Sequence, residues 1–333
     1  MKNITLKDIA QHCDLAATTV SRILNGKSTY CSREKIALVK SIAKEWNYRP
    51  NIGYRIMTGR STNIAAVLFS QPRITQDDQI NRLYMQLNAE LHVCGFTLYT
   101  TVLDGDQQFQ MKRLEELEER GCRYYIFIGS PAYCEEIHMF LKERGRNCIG
   151  FNNNFIPHGI WQDQGGAYLQ YLKMAVTEKR ENFKFAVTDR FFEQRILPGI
   201  PPDLAGRAKD LLLPVAPIGF ITDNSYDHYF NLGYRVMKEE LRRNPEIQAM
   251  AFPSDYHVFG AAAALREVKF HAGGVHLFGM GDAVASRFAG VRFTTSRFNM
   301  EECGKFLVQH LMDSSELQKL LPAEIVDYDL NRE

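Results

Sequence analysis

Apolar residues near the N-terminus recur three and four positions apart. Leu6, Ile9, Ala10 and Cys13 fall on one helical face, with Thr5 placed to cap its start. After a break at Asp14-Leu15-Ala16, Val20, Ile23 and Leu24 define a second short helix that stops at Asn25-Gly26, a pair suited to a left-handed C-cap. Ile36, Val39, Ile42, Ala43 and Trp46 predict a third helix, capped by Ser32 and ending before Tyr48-Arg49-Pro50. Three small helices with a tight turn between the first two make a helix-turn-helix pattern.

From Ile64 the period changes. Short apolar runs at 64–69, 96–102, 124–128, 148–151, 183–187, 247–252 and 275–278 alternate with amphipathic stretches at 79–94, 107–120, 135–144, 226–243 and 258–267. Strands alternating with crossover helices predict parallel sheets covered on both faces, with ligands collected at the carboxyl ends of the strands. The number of strands suggests two such lobes.

Charge separates the same two regions. Residues 1–60 hold eleven Lys and Arg against Asp8, Asp14, Glu34 and Glu45, an excess of seven positive charges. Because the whole chain of 333 residues nets only +1, the remainder carries an excess of six negative charges. A basic head on an acidic body implies a polyanion as partner of the head alone. The seven cysteines are scattered without C-x-x-C spacing, which predicts buried free thiols in a reducing compartment. Neither a signal-peptide pattern nor an apolar run of about 18 residues is present, so a cytoplasmic protein without a membrane partner is expected.

The exposed face of the second helix carries Ala17, Thr18, Thr19, Ser21 and Arg22. A guanidinium bonds guanine O6 and N7 together, which makes Arg22 the candidate base reader, whereas hydroxyls suit phosphates. The same periodicity and charge would also fit a small protein-binding helical module. Elsewhere, catalytic patterns are lacking. Gly279-x-Gly281-Asp282 has no third glycine of a phosphate loop, the nine histidines have no metal-ligand spacing, and no G-x-S-x-G turn occurs. An enzyme, a metal or a cofactor is not expected, and Glu115, Glu116, Glu118 and Glu119 read as the wet face of a helix.

T-L-K-D-I-A at 5–10, T-V-S-R-I-L-N-G at 19–26, Y-R-P-N at 48–51 and T-G-R-S-T-N-I at 58–64 stand in the order and spacing of the DNA-binding head of the LacI/GalR (lactose-repressor) family, which this chain resembles. The resemblance is strong in the head and thin in the body. There it rests on Gly233-Tyr234, Pro245, Asp255 before Gly260-Ala261, Gly279 with Asp282, Thr294-Thr295, and Glu302 near Gly304. It implies that Ala17, Thr18 and Arg22 read bases, and that Thr5, Thr19, Ser21 and Asn25 contact phosphates, with Tyr48, Asn51 and Arg55 also at the DNA. Met57 would then take the place of the family's minor-groove Leu as an apolar wedge, although the same segment could be a plain linker. Two departures concern the turn: the family's Gly is Asp14 here, and its capping Ser or Thr is Ala16.

For fold, the resemblance implies an α/β chain with an all-α head (1–50), a hinge (51–62) and a two-lobed periplasmic-binding-protein-like, Rossmann-like effector core (63–333). The first lobe is expected at about 63–160 plus 293–315, and the second at about 161–292 plus 316–333. The implied function is a DNA-binding regulator, acting as a homodimer on a double-stranded pseudopalindromic operator. A small effector, a sugar or related metabolite, would bind between the lobes. Candidate effector residues are Gln71, Arg73, Trp161, Arg195, Asp255 and Asp282, with Arg190, Arg207, Tyr256 and Phe220 as further types available. Two other readings stay open at this point: a small-molecule binding protein whose head is not used on DNA, and a constitutive DNA binder whose pocket has decayed.

Overall fold

The computed structural model describes residues 4–24, 31–46, 48, 63–71, 77–215, 225–268, 274–288, 293–313 and 316–328. The chain divides into two compact units, residues 1–62 and 63–333.

In the first unit, α1 (Leu6–His12), α2 (Ala17–Leu24) and α3 (Arg33–Glu45) enclose a core of Ile9, Ala10, Val20, Ile23, Val39, Ile42 and Ala43. Thr5 caps α1 in a reciprocal box with Asp8, and the Ser32 hydroxyl accepts from the Lys35 amide at the start of α3. Asp14 has φ 52°, so the position where glycine was expected does need the left-handed region, and Asp is among the residues that tolerate it. Ala16, at the start of α2, has no side-chain oxygen to cap the helix, and the Asp14 carboxylate does not replace it among the described hydrogen bonds.

The second unit opens with β1 (Ile64–Phe69), α4 (Asp78–Val93), β2 (Thr97–Val102), α5 (Gln107–Glu119), β3 (Tyr124–Ile128), α6 (Cys134–Glu143), β4 (Asn147–Phe151) and β5 (Gly159–Gln162). It continues through α7 (Gln164–Thr177), β6 (Phe183–Val187), α8 (Asp189–Phe191), a π turn at Phe192–Ile196, α9 (Pro202–Ala205), α10 (Ala208–Leu211), β7 (Leu212–Pro214) and α11 (Ser225–Arg243). It ends with β8 (Ala249–Ala251), α12 (Asp255–Glu267), β9 (His276–Phe278), β10 (Phe293–Arg297), α13 (Met300–His310), β11 (Gln318–Leu321) and β12 (Glu324–Tyr328).

Two six-stranded sheets result, in the orders β11-β5-β4-β3-β1-β2 and β12-β10-β9-β8-β6-β7. All pairings are parallel except β12 on β10, which runs antiparallel with Phe293 opposite Tyr328. The six residues of β1 are all buried, as a central strand covered on both faces requires, while the edge strand β2 is half open. The lobe boundaries differ from the sequence reading. Strand β10 (293–297) pairs in the second sheet and not the first, and β11 (318–321) pairs with β5 in the first sheet and not the second. The chain therefore changes lobe at 163, at 298–299 and at 322–323. Apolar periodicity identifies a strand but is silent on which of two similar sheets it joins.

Two close approaches depend on glycine. A Cβ at Gly159 would stand 2.1 Å from the carbonyl oxygen of Gly150 on the neighbouring strand. Where α11 crosses α12, a Cβ at Gly233 would lie 1.9 Å from the His257 carbonyl oxygen and one at Gly260 1.9 Å from that of Phe230. The glycines that carried part of the thin resemblance are thus the ones that let these two helices touch backbone to backbone.

Of the cysteines, Cys13, Cys122, Cys134 and Cys303 are buried and free, whereas Cys94 is exposed and Cys31 and Cys148 are intermediate. Glu118 departs from the wet-face reading of its helix: it is half-buried and takes a fork of bonds from Arg146, with the Tyr125 hydroxyl donating to it as well. No helix among the described residues is long and apolar enough to cross a membrane.

Candidate functional site

In the head, Thr5, Thr18 and Arg22 are exposed and Ala17 and Thr19 partly so, all on or beside one face of α1 and α2. Ser21 differs: at 8% exposure it is buried, unlike the open position that a phosphate contact suggests. Tyr48 packs partly buried against the three-helix core, and burial raises its phenol above the ordinary range. Asn25, Asn51, Arg55 and Met57 lie outside the described residues.

In the second unit, strands β1, β3 and β4 end on a common side, and there the two lobes enclose a cavity of about 380 Å³. The first lobe supplies Ser70 and Gln71 after β1, Asp77 and Ile80 at the start of α4, Gly129 and Ser130 after β3, and Phe151 and Asn152 at the end of β4. Gln162 and Gln164 come from the chain crossing, and the second lobe adds Tyr226, Tyr229, Ser254 and Tyr256. The lining is thus amides, hydroxyls and aromatic rings. Among the described lining residues the ionisable groups are the tyrosines and Asp77, which caps α4 by accepting from the Gln79 and Ile80 amides and whose carboxyl is pushed up by burial. The rings of Tyr226 and Tyr256 lie 4.2 Å apart between centroids, and burial raises both phenols, so they are neutral hydrogen-bonding groups. A site built this way suits an uncharged, polyhydroxylated molecule.

A second cavity of about 330 Å³ adjoins the first, sharing Asn152, Gln162 and Gln164 with it. Trp161, Phe191, Gln194, Arg195, Pro198 and Leu320 line the rest of its wall, together with Asn154 and Asp163. The π turn of 192–196 places Gln194 and Arg195 here, a backbone irregularity often found at functional sites.

The six expected effector residues therefore separate. Gln71 lines the first cavity, Trp161 and Arg195 line the second, and Arg73 lies outside the described residues. Asp255 and Asp282 line neither. Asp255 is 1% exposed and accepts from the Ala283 amide and from the Ser286 and Thr295 hydroxyls, each at 2.7 Å. It holds the 281–286 turn onto β10 inside the second lobe. Asp282, with φ 46°, accepts from the Tyr328 hydroxyl at 2.6 Å and lies 3.7 Å from Arg82 and 3.9 Å from Arg297. A carboxylate just before or in a turn reads the same in sequence whether it faces a ligand or the backbone. Of the other types named, Tyr256 lines the first cavity, Arg190 and Arg207 line neither, and Phe220 is outside the described residues.

The same turn ties the lobes together. Arg82 of α4 donates to the Asp282 carbonyl oxygen at 3.1 Å, the Phe298 amide donates to Gln79 at 3.3 Å, and the Val284 amide donates to Asp78 at 3.3 Å. Sequence reasoning missed these contacts, along with Asp77, Asn152, Gln162, Gln164, Tyr226, Tyr229 and Ser254. The signal available was the rule that ligands gather at carboxyl ends of parallel strands, which marks the segments after β1, β3 and β4.

A helix-turn-helix head followed by two parallel α/β lobes around a polar cleft defines a fold class: a small helical head joined to a two-lobed core of the kind seen in solute-binding proteins. Comparison with known proteins agrees. Residues 5–51 match the bacterial regulatory proteins of the lacI family, and the chain is similar to LacI/GalR regulators in both units. The HTH-type transcriptional regulator MalR of Staphylococcus xylosus is 34% identical over 101 residues, 30% of this chain and 29% of that protein. The ribose operon repressor of Halalkalibacterium halodurans is 27% identical over 173 residues, 50% of this chain and 48% of that protein. These matches span less than half of either relative. A lac repressor dimer solved with operator and an anti-inducer shares the fold, with TM-score 0.72 over 98% of both chains at 15% identity.

Proposed function

We propose that this protein is a cytoplasmic, sequence-specific transcriptional regulator, a repressor, that binds a pseudopalindromic operator as a homodimer. Its affinity for DNA is set by a small uncharged effector, a sugar or related metabolite, held between the lobes. The observation that carries the reading is the head. A capped helix-turn-helix within a net-basic segment exposes Thr18 and Arg22, with Ala17 partly exposed beside them, on a helix that matches the lacI family. Arg22 reads a guanine, Thr5 and Thr19 hold phosphates, and Asn25, Tyr48, Asn51 and Arg55 add contacts around them. Met57 wedges the minor groove from the hinge at 51–62. One head reads only a short half-site, so two heads on a twofold axis are needed for a palindrome.

The effector acts through the cleft. Its wall and the contacts that hold the lobes together share α4 and α12: Asp77 and Tyr256 line the cavity, while Asp78 accepts from the Val284 amide and Arg82 bonds the 281–284 turn. A ligand that favours one lobe angle therefore biases whatever that angle controls, by its difference in affinity for the two arrangements. The cavity supports this reading over a decayed pocket, since it is open and lined by amides, hydroxyls and aromatic rings.

The test is selection from random duplex DNA at fixed salt, with the full chain and with a version lacking residues 1–60. Enrichment of a palindrome that depends on the head is the expected result. Absence of enrichment both without and with pooled metabolites would overturn the regulator reading and leave a small-molecule binding protein.

A further inference from the structure

The two adjoining cavities share Asn152, Gln162 and Gln164, and the first two of these are bonded to each other. Asn152 donates through Nδ2 to Gln162 Oε1 at 2.7 Å, and the Gln162 backbone amide returns a bond to Asn152 Oδ1 at 2.8 Å. Both amide oxygens are therefore engaged. The second Nδ2 hydrogen of Asn152 and the Gln162 Nε2 group have no partner among the described residues, and both residues border both cavities. Asn152 is held at φ 49°, a left-handed conformation that Asn tolerates and that marks sites where backbone shape is functionally constrained. What this pair offers is a low ridge of N–H donors bordering both polar hollows.

Both hollows carry carbohydrate-type walls. On one side stand Tyr226 and Tyr256 with Ser254 and Gln71. On the other, the Trp161 indole is pinned by its bond to the Asn153 carbonyl oxygen at 2.9 Å, with Phe191 and Leu320 beside it and Gln194 offered by the π turn. Aromatic rings interleaved with amides suit a sugar ring, whose C–H faces pack on the aromatics while its hydroxyls bond the amides. Among its described residues the second hollow also holds one cation, Arg195, and one carboxylate, Asp163, which caps α7 by accepting from the Gly166 amide.

Resting on the effector reading above, we propose that the ligand is a neutral disaccharide that occupies both cavities, one ring in each, with its bridging oxygen accepting from the Asn152–Gln162 ridge. Trp161 and Gln194 then form a subsite for the second ring and select against single hexoses.

Trp161 and Trp46 are the only two tryptophans, so a full-length Trp46→Phe protein reports on the second cavity through Trp161 emission alone. Calorimetry on the unaltered protein supplies a second readout that does not depend on that variant. The probes are maltose, cellobiose, lactose, sucrose and trehalose, their component hexoses, and glucose 6-phosphate. The expected result is at least one disaccharide bound roughly tenfold or more tightly than either component hexose, with a shift of Trp161 emission. Gln194→Ala should reduce that preference to about threefold or less. Hexoses binding as tightly as disaccharides, with Trp161 unmoved, would overturn the second subsite while leaving the sugar-effector reading intact. Preference for the phosphate that is lost in Arg195→Gln would overturn it in favour of an anion site. Failure of every carbohydrate to bind would overturn both this inference and the sugar-effector reading, and the DNA selection would still judge the regulator.

Discussion

Asp255→Asn should stabilise the protein, and by an amount that depends on pH. Burial raises the Asp255 carboxyl from 3.8 to about 6, against the opposing pull of hydrogen bonds from Thr295, Ala283 and Ser286. A carboxyl whose folded pKa lies above its unfolded value binds more protons in the folded state between the two. Stability is therefore lost as pH rises from about 4 to about 6, and above that window the buried charge costs about 3 kcal/mol. Asparagine keeps the contacts: its carbonyl oxygen faces the Ala283 amide and the Ser286 hydroxyl, and its Nδ2 donates to the Thr295 hydroxyl, which turns to accept. The cost is about 2 kcal/mol at pH 5 and about 3 kcal/mol at pH 7.5, so urea unfolding should show the variant's advantage widening by about 1 kcal/mol between them. A difference that stays constant with pH would refute the reasoning, because it would mean that Asp255 does not titrate in this window. Asp255→Ala, which leaves three donors without an acceptor in the interior, should instead destabilise by about 3 kcal/mol at either pH.

Other perturbations are simpler. Arg22→Ala should cost about 1 to 3 kcal/mol at one base position, measured by binding to single-base operator variants; an equal loss on every sequence would remove its base-reading role. Operator affinity should fall steeply with salt, and a flat dependence in titrations would contradict phosphate neutralisation by the basic head. Gly159→Ala should destabilise by about 3 kcal/mol in urea unfolding, since its Cβ would stand 2.1 Å from the Gly150 carbonyl oxygen. Arg146→Ala should cost about 2 kcal/mol by leaving the half-buried Glu118 with the Tyr125 hydroxyl alone, and Glu118→Gln in the same background should recover part of the loss.

The sequence conveyed the elements better than their arrangement. Strands such as 64–69, 124–128 and 183–187 are legible because burial on both faces demands unbroken apolar runs, and the head because three apolar periods and their caps are local signals. The destination of 293–297 and 318–321 was not legible, because short strands of mixed polarity fit either sheet, whether at its edge like 318–321 or inside it like 293–297. At the site, Gln71, Trp161 and Arg195 sit at cavities, whereas Asp255 and Asp282 turned inward to bind backbone and hydroxyls. Tyr226, Tyr229 and Asn152 escaped notice for the opposite reason. Ordinary residues at helix starts and strand ends acquire a role only when two lobes face each other, and nothing in local sequence encodes that meeting. The π turn at 192–196 likewise has no compositional mark.

Strand β11 closes an edge of the first sheet and β12 an edge of the second, although β11's partner β5 ends at residue 162 and most strands of both sheets come much earlier in the chain. During synthesis the three described helices of the head are complete by residue 45, and the described residues of its core by Tyr48. Neither lobe can complete its sheet until residues 318–328 have left the ribosome. A growing chain thus carries the three-helix core of its head long before it has finished lobes, and translation that stops short of β11 would release that head with both sheets incomplete. The order in which the parts mature is written into which sheet the last two strands join.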